Sequence, residues 1–573
     1  MPLPALRTFL LPFQANSFPQ TSVRLQRQGP EAGTDGFRRL GRLASGAVVA
    51  GFAAYACLFI YRTSFVVGQE RYFSLFDDAM ISMRYARNLA QGYGLVWNPG
   101  GERIEGYTNP LWVLYMAAVH LLPLPASKVS LVVQITAAAL LVVNLVLVRR
   151  IALRVSNGSE VVAFGGVLLT ACYLPLNNWS LQGMEVSLLL PVMSGSILLA
   201  LQTLRDGKFR ALPHLVLGAS TLIRPDMAVS LVGLTLYLAM TDTGNRRRHL
   251  AWGLTALGGF TLLQTALRIW YFGDLLPNTY YLKLTGYPAL LRISRGAFVF
   301  AQFVWKFNVL LFTLPFVMLS NRGRGGKLLL FMMGVQSAYS VYVGGDAWEY
   351  WGGSNRYISL AMPGFFVALS CSLLTLARAI RTPAPPRSTA PTNLPAAFPL
   401  LLFVSAVSVN CIYGPSALKE ALLFHAPLHT GPGDENNDEV EEALALRQIT
   451  TKDATIAVVR AGTIPYFADR PSLDLLGKND RVIAHEPSRV PTGRLRFIDF
   501  RPGHSKFDYG YSIERRAPDV VVQLWNDPQQ IEPFLQRFYT SAALNGHCVY
   551  LRNASAHVLW PAVSPAGCPS HTP

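Results

Sequence analysis

The chain has 573 residues, of which 51% are hydrophobic and only 14% charged, with a mean hydropathy of +0.29. Soluble proteins carry about 25% charged residues, so this composition excludes a disordered chain and disfavours an ordinary soluble enzyme. The net charge of +17 would suggest nucleic acid in a soluble protein. Here the apolar residues recur in blocks of about 20, long enough to cross a hydrocarbon core, and the excess charge is read instead as basic loops on one side of a bilayer, with no nucleic-acid partner.

Residues 1–43 hold six Arg, scattered Pro and Gly, and no apolar run ending in a small-residue cleavage site, which predicts a disordered cytoplasmic tail. Apolar blocks then predict eleven crossings, near 44–61, 129–148, 161–174, 186–203, 211–222, 227–240, 250–270, 297–319, 328–343, 358–377 and 396–412. Five short loops carry three basic residues each: Arg149, Arg150, Arg154; Arg205, Lys208, Arg210; Arg246, Arg247, Arg248; Arg322, Arg324, Lys327; and Arg378, Arg381, Arg387. With the N-terminus inside, alternation puts all of these loops inside and everything from 413 to 573 outside.

Residues 109–124 are apolar but short, and counting them as a span would put Arg149 and Arg150 on the wrong side, so a re-entrant segment is expected. That leaves a long first external loop, 62–128, beneath a transmembrane domain of 44–412; loops of such length are usually functional. Beyond 412, Thr455-Ile-Ala-Val-Val, Asp519-Val-Val-Val-Gln-Leu and His547-Cys-Val-Tyr-Leu predict buried strands of a soluble α/β domain. In an oxidising space Cys548 and Cys568 either pair there or remain free thiols.

The polar punctuation falls on the outer ends of the spans. Asp77 to Gln91 has helical spacing, with Asp77, Arg84, Asn88 and Gln91 on one side and Ile81, Tyr85 and Leu89 on another, which predicts an amphipathic helix along the membrane surface. Of the adjacent Asp77 and Asp78, one can face a cavity as a general base while the other caps the helix, or both can cap. Asn177-Asn178-Trp179, Gly183-Met184-Glu185, Arg224-Pro225-Asp226, Gly273 to Lys283 and Gly344 to Tyr357 are further outer clusters of acids, amides and aromatic rings. Such groups near membrane depth imply a wet chamber, and flat rings beside acids suit sugars. Matched broken helices, which would indicate a transporter, are not evident, and no phosphate loop, HExxH or GxSxG occurs. The energy for any reaction therefore arrives with the substrate.

The run from Asp77-Asp78-Ala-Met through Arg84, Gly92-Tyr-Gly94, Asn98, Glu102, Glu105-Gly106-Tyr107-Thr108-Asn109 to Trp112 resembles the first periplasmic loop of GT-C glycosyltransferases related to the mycobacterial terminal β-(1→2)-arabinofuranosyltransferases. Gly183-Met-Glu185, Tyr271-Phe-Gly-Asp274-Leu-Leu-Pro-Asn278-Thr-Tyr280-Tyr281-Leu-Lys283, Gly344-Gly-Asp346, Ala461 to Tyr466, Leu473-Asp474-Leu-Leu-Gly477, Gly503-His504-Ser-Lys506 and Pro518-Asp519 look like further motifs of that family, and the likeness runs from 44 to 525 in order. One departure is Gly345-Asp346-Ala-Trp348, where the family pattern has Trp directly after the Asp.

The resemblance implies a bacterial inner-membrane protein of GT-C fold, N-terminus in and C-terminus out, with a periplasmic α/β domain. It also implies a polyprenyl-phosphate sugar donor, with arabinofuranose the first sugar expected, and an acceptor glycan, lipid or protein outside the cell. Another polyprenyl-linked sugar, or a membrane carrier or assembly role, stays open. A base at Asp77 or Asp78 is implied, with Arg356, Lys283 and Arg84 holding the departing phosphate. Glu105, Tyr107, Asn109, Glu185, Asn278 and Asp346 are expected around the sugar or acceptor, and His504 and Lys506 closing the chamber. No cofactor is required; a divalent metal is conceivable but has no ligand spacing to support it.

Overall fold

The computed structural model describes residues 32–319, 323–347, 355–381, 397–411, 435–489 and 500–563. It has two compact units, Met1–Leu40 and Gly41–Pro573. In the first, the described residues are helical; the second carries all remaining elements. The helix α1 covers Ala32–Arg62, twelve residues earlier than the expected span at 44. Hydropathy stops at Arg42, whereas a helix needs only its backbone hydrogen bonds to continue past a bilayer.

A short hairpin, β1 (Phe65–Val67) and β2 (Glu70–Tyr72), leads into α2 (Asp77–Ala90) and α3 (Pro110–His120). The helical bundle continues with α4 (Ala126–Val155), α5 (Glu160–Ala171), α6 (Leu174–Leu181), α7 (Val186–Asp206), α8 (Leu212–Ser220), α9 (Met227–Thr241), α10 (Arg246–Phe272), α11 (Asn278–Leu284), α12 (Ala289–Phe307), α13 (Val309–Leu319), α14 (Arg324–Val343), α15 (Arg356–Ser359), α16 (Met362–Arg381) and α17 (Phe398–Cys411).

The count of crossings is corrected. Among the described residues five helices are long and apolar enough to cross a membrane, or up to seven if α5 with α6 and α12 with α13, bent by 55° and 93°, each make one span. Proline and a left-handed residue break these pairs: Pro175 is the second residue of α6, and Asn308 between α12 and α13 has φ of 82°. The short α8 and α9 flank Arg224-Pro225-Asp226; at 15 residues α9 reaches about 22 Å, short of a hydrocarbon core of about 30 Å. The apolar 110–120 segment is likewise short, as expected of a re-entrant helix. Arg154, Arg205, Arg324 and Arg378, from four of the basic loops, line one cavity of about 940 Å³, so those loops share an end of the bundle.

Residues 435–563 form a mixed α/β domain. Its helices are α18 (Glu435–Ile449), α19 (Thr463–Ala468), α20 (Arg481–His485) and α21 (Glu532–Phe538), and its strands β3 (Ile456–Val458), β4 (Ser472–Asp474), β5 (Val520–Val521), β6 (Tyr539–Leu544) and β7 (His547–Arg552). The strand order is β4-β3-β5-β7-β6, with the first three parallel and the last two pairings antiparallel. Alternation sends Ile456, Val458, Val520 and Val522 into an apolar core continuous with the bundle, while Ala457 and Val521 face a separate cluster with Phe507, Tyr509 and Leu535. Cys548 is disulfide-bonded; its expected partner, Cys568, lies outside the described residues.

The helix α2 has the boundaries its sequence predicts, and protein covers its polar as well as its apolar side. Nearly every residue from Ala79 to Asn88 is buried, because α2 lies between α3 and α19. Its polar side faces protein. Arg84, 1% exposed, donates to the carbonyls of Trp97 (2.6 Å), Arg470 (2.8 Å) and Pro465 and to Asn98 Oδ1 (2.8 Å), and lies over the Trp97 ring. Arg87 donates to the Tyr466 carbonyl and pairs with Asp469 at 2.9 Å. Replacing Arg84 with Met strands several buried acceptors at this junction, which costs about 3 kcal/mol. A clear fall in the melting temperature of the detergent-purified protein is expected; an unchanged melt would mean that the junction does not depend on Arg84.

Candidate active site

One end of the helical bundle and one loop of the C-terminal domain converge on Asp78. Its Oδ2 lies 3.3 Å from Arg356 Nη1, and its Oδ1 accepts from the ammonium of Lys478. Burial alone would raise the Asp78 carboxyl, but Lys478, Arg356 and Lys283 outweigh it and hold the group well below the usual carboxylate range. With Lys283, Asn109, Glu185, Tyr107 and Ser82 these residues line a cavity of about 40 Å³. That is room for roughly one water.

Each cation is set by its own local structure. After α14 the chain turns through Gly344 and Gly345, at φ of 91° and 74°, which only glycine adopts readily. That turn delivers Asp346, 2% exposed, behind Arg356, where it accepts from Nε (2.8 Å), Nη2 (3.1 Å) and the backbone N–H (3.2 Å). The guanidinium lies 4.5 Å over the Trp179 ring, and Asn355 caps α15 by accepting from the N–H groups of Tyr357 and Ile358. Lys478 sits on a loop tied by Asp474, whose carboxylate accepts from Leu476, Gly477 and Asn479 N–H. Asn278 donates to the carbonyls of Gly477 (2.9 Å), Lys478 (3.0 Å) and Asp480 (3.3 Å). Lys283, one turn farther along α11, has no hydrogen-bond or ion-pair partner among the described residues; burial, then the nearby Arg356, brings its ammonium down to about 8.

Asp77 points elsewhere. Its Oδ1 accepts from Gly462 and Thr463 N–H, both at 2.9 Å, at the start of α19, and a Cβ on Gly462 would collide with the Asp77 carbonyl. Burial, then Glu439, pushes its carboxyl up to about 7, against the opposing pull of Lys478.

Other expected residues divide between the cavity and its frame. Tyr107, Asn109 and Glu185 line the cavity: Asn109 Nδ2 donates to Glu185 Oε2 at 3.0 Å, Ser82 donates to Asn109 Oδ1 at 2.9 Å, and Arg224 pairs with Glu185 at 3.2 Å. Glu105 is spent on Arg268 of α10, and Arg84 on the junction described above. Lys506 Nζ donates to the carbonyls of Ala484 (2.7 Å) and Tyr281 (2.9 Å), fixing α11 against the C-terminal domain. His504 is brought down to about 3 by burial and then Lys478, and its neighbour Gly503 packs on the Lys283 side chain. Trp348 lies outside the described residues. The sequence missed Lys478, which directly follows the Leu473–Gly477 motif, and Ser82; it placed Arg224 in a polar cluster without its role of ordering Glu185.

The carboxylates around Asp78 are engaged by cations. Arg356 and Arg224 engage Asp346 and Glu185, and no group of three His, Cys, Asp or Glu among the described residues is placed to hold a metal. The arrangement instead offers an anion a preformed cationic wall beside a carboxylate.

Residues 433–558 match a family model described as a domain of unknown function, DUF8728. A curated relative, the terminal beta-(1->2)-arabinofuranosyltransferase of Mycobacterium tuberculosis, is 28% identical over 217 residues, covering 35% of this chain. The match spans about a third (34%) of that relative's length. Among solved structures, ArnT from Cupriavidus metallidurans bound to undecaprenyl phosphate aligns with a TM-score of 0.49 at 13% identity, covering 89% of this chain and 98% of its own. The archaeal oligosaccharyltransferase AglB from Archaeoglobus fulgidus, in complex with an inhibitory peptide and a dolichol-phosphate, aligns with a TM-score of 0.47 at 12% identity, covering 88% and 74%.

Asp77 carries a pH signature. Its folded value of about 7 lies above the ordinary carboxyl value, so the native state holds the extra proton between about pH 4 and 7 and loses stability as pH rises through that window. Asp77→Asn keeps the acceptor for Gly462 and Thr463 and removes the buried charge. Its melting temperature relative to wild type should therefore be higher at pH 8 than at pH 5; an equal difference at both would show that Asp77 is ionised throughout.

Proposed function

We propose that this chain is a membrane glycosyltransferase of GT-C type, moving a sugar from a polyprenyl-phosphate donor to an acceptor hydroxyl. The observation that carries this reading is the cavity at Asp78, where a carboxylate meets Arg356, Lys478 and an uncommitted Lys283. The first-loop motif and the curated arabinofuranosyltransferase relative point the same way, and make arabinofuranose the first donor sugar to try. A pocket lined by basic loops sits at one end of the bundle. Asp346 follows α14, which begins at Arg324, and Lys283 follows α10, which begins at Arg246. The candidate site is thus at the opposite helix ends, which by the positive-inside rule face outward.

Asp78 serves as the base. In the resting site its cations hold it ionised and only weakly basic. A donor phosphate entering the cavity competes for Lys283, Arg356 and Lys478, and the loosened carboxylate regains basicity. It takes the acceptor hydroxyl's proton as the acceptor oxygen bonds to the anomeric carbon. The bond from that carbon to the phosphate oxygen breaks, and the lipid phosphate departs with the electron pair, its charge held by the same cations. Asn109 and Glu185 orient sugar hydroxyls, and Tyr107 supplies a wall. A cavity of about 40 Å³ is far below the roughly 300 Å³ of small-molecule sites, so the site must widen to admit a donor.

Asp78→Asn should lower sugar transfer from a synthetic polyprenyl-phosphate donor in detergent by about a hundredfold or more, while Asp77→Asn retains most of it. The reverse ranking would move the base to Asp77. Lys283→Met should raise the donor KM more than it lowers kcat, read by initial-rate kinetics; an unaltered KM would remove Lys283 from phosphate binding. Mass spectrometry of lipid co-purified with the protein would name the sugar.

A further inference from the structure

The cavity at the end of the bundle remote from Asp78 has no part in the transfer chemistry. Its volume of about 940 Å³ falls within the range of small-molecule sites, about 300–1,000 Å³. Arg154, Arg205, Arg324 and Arg378 line it, each is exposed, and none of the described lining residues is acidic. Helical spacing gives it a floor and a rim. On α16 the lining residues are Cys371, Leu374, Thr375 and Arg378, at i, i+3, i+4 and i+7; on α7 they are Leu201, Leu204 and Arg205, at i, i+3 and i+4. Each set is one face of its helix, and in each the arginine stands nearest the helix end. The cavity therefore has an apolar floor towards the bundle and a cationic rim at its mouth.

The ordinary uses of a loop arginine do not account for this grouping. Arg154 and Arg205 sit in the last turns of α4 and α7, where a cation complements the helix dipole by about 0.3–1 kcal/mol, and positive-inside sorting needs only charge on that side. Neither effect gathers four guanidinium groups around one hollow. Acids do not gather them either: the nearby carboxylates of Glu160 and Asp206 pair with Arg149 (2.7 Å) and Arg210 (2.6 Å), which do not line the cavity. Arg154, Arg205 and Arg324 have no ion-pair partner among the described residues. Like charges collected in this way repel, and an anion between them relieves the repulsion.

We propose that this cavity binds the phosphate headgroup of an anionic phospholipid, with the first part of its acyl chains on the apolar floor. Guanidinium forks match phosphate oxygens, and by the positive-inside rule this end meets the leaflet whose anionic lipids collect beside basic pockets. A small soluble anion would engage the rim and leave Leu201, Leu204 and Leu374 uncovered; a lipid covers both.

Native mass spectrometry and thermal unfolding of the full chain in a non-ionic detergent test this, with phosphatidylglycerol and cardiolipin set against phosphatidylcholine and inorganic phosphate. At least one anionic lipid should be retained as a single bound molecule and raise the melting temperature, where phosphatidylcholine and phosphate at equal concentration do not. The triple variant Arg154→Gln, Arg205→Gln, Arg324→Gln should weaken that binding by about tenfold or more. The triple Lys208→Gln, Arg246→Gln, Arg247→Gln removes as much charge from the same end, where Asn245 donates to the Gly207 carbonyl, without touching the cavity; it should bind as wild type does. If the first triple fails to insert, Arg205→Gln alone, which barely alters the charge that orients the chain, should weaken binding about threefold or more. Retention of neither lipid, phosphate bound as tightly as lipid, equal losses in the two triples, or undiminished affinity in the cavity variants would each overturn the site. Neither donor nor turnover enters the measurement, so failure of the transferase reading would leave it standing.

Discussion

A carboxylate shut away from water cannot stay charged unless cations stand beside it. Asp78 comes close to that position, with its side chain only 16% exposed, and much of the surrounding architecture follows from supplying its partners. Arg356 arrives from the turn after α14 and Lys478 from the C-terminal domain, with Lys283 in the same field. Each needs its own support: Asp346 and the Trp179 ring for Arg356, Asp474 and Asn278 for the Lys478 loop. The docking of the C-terminal domain is thus an electrostatic requirement of the bundle as well as an apolar one.

Neighbouring residues on a helix point about 100° apart, and α2 turns that into a division of labour. Asp77 is held against the backbone of Gly462 and Thr463, and Asp78 lines the cavity. Burial pushes the first towards neutrality, with Glu439 adding to it, and leaves the second charged, because Lys478, Arg356 and Lys283 outweigh it there. Two chemically identical side chains acquire opposite characters from about one helical step.

Much of this was legible in the sequence where the signal is local. The helix from Asp77, the short helix at 110–120, and three of the five strands of the C-terminal sheet follow from periodicity and runs of β-branched residues. The strands Ser472–Asp474 and Tyr539–Leu544 do not: one is three residues long, and the other is a half-exposed edge of mixed polarity. The number of crossings was overstated because the blocks at 211–222, 227–240 and 396–412 were counted as spans although their helices are short. Around the site, acids and amides were visible as a group but not their duties. Asn278 and Lys506 look like sugar ligands in sequence, yet their donors go to backbone carbonyls. Arg84 reads as a phosphate cation until the chain folds back over it. Composition reports which polar groups exist; only the fold reports which remain unspent.

The ion pair of Asp78 with Lys478 joins residues 400 positions apart. During synthesis the bundle and its first loop are complete long before Lys478 emerges, so for most of translation Asp78 faces no ammonium from that side. The cavity is complete only once the domain that carries Lys478 has been made and has docked. A chain cut short before residue 478 would therefore leave Asp78 with Arg356 alone of its two ion-pair partners.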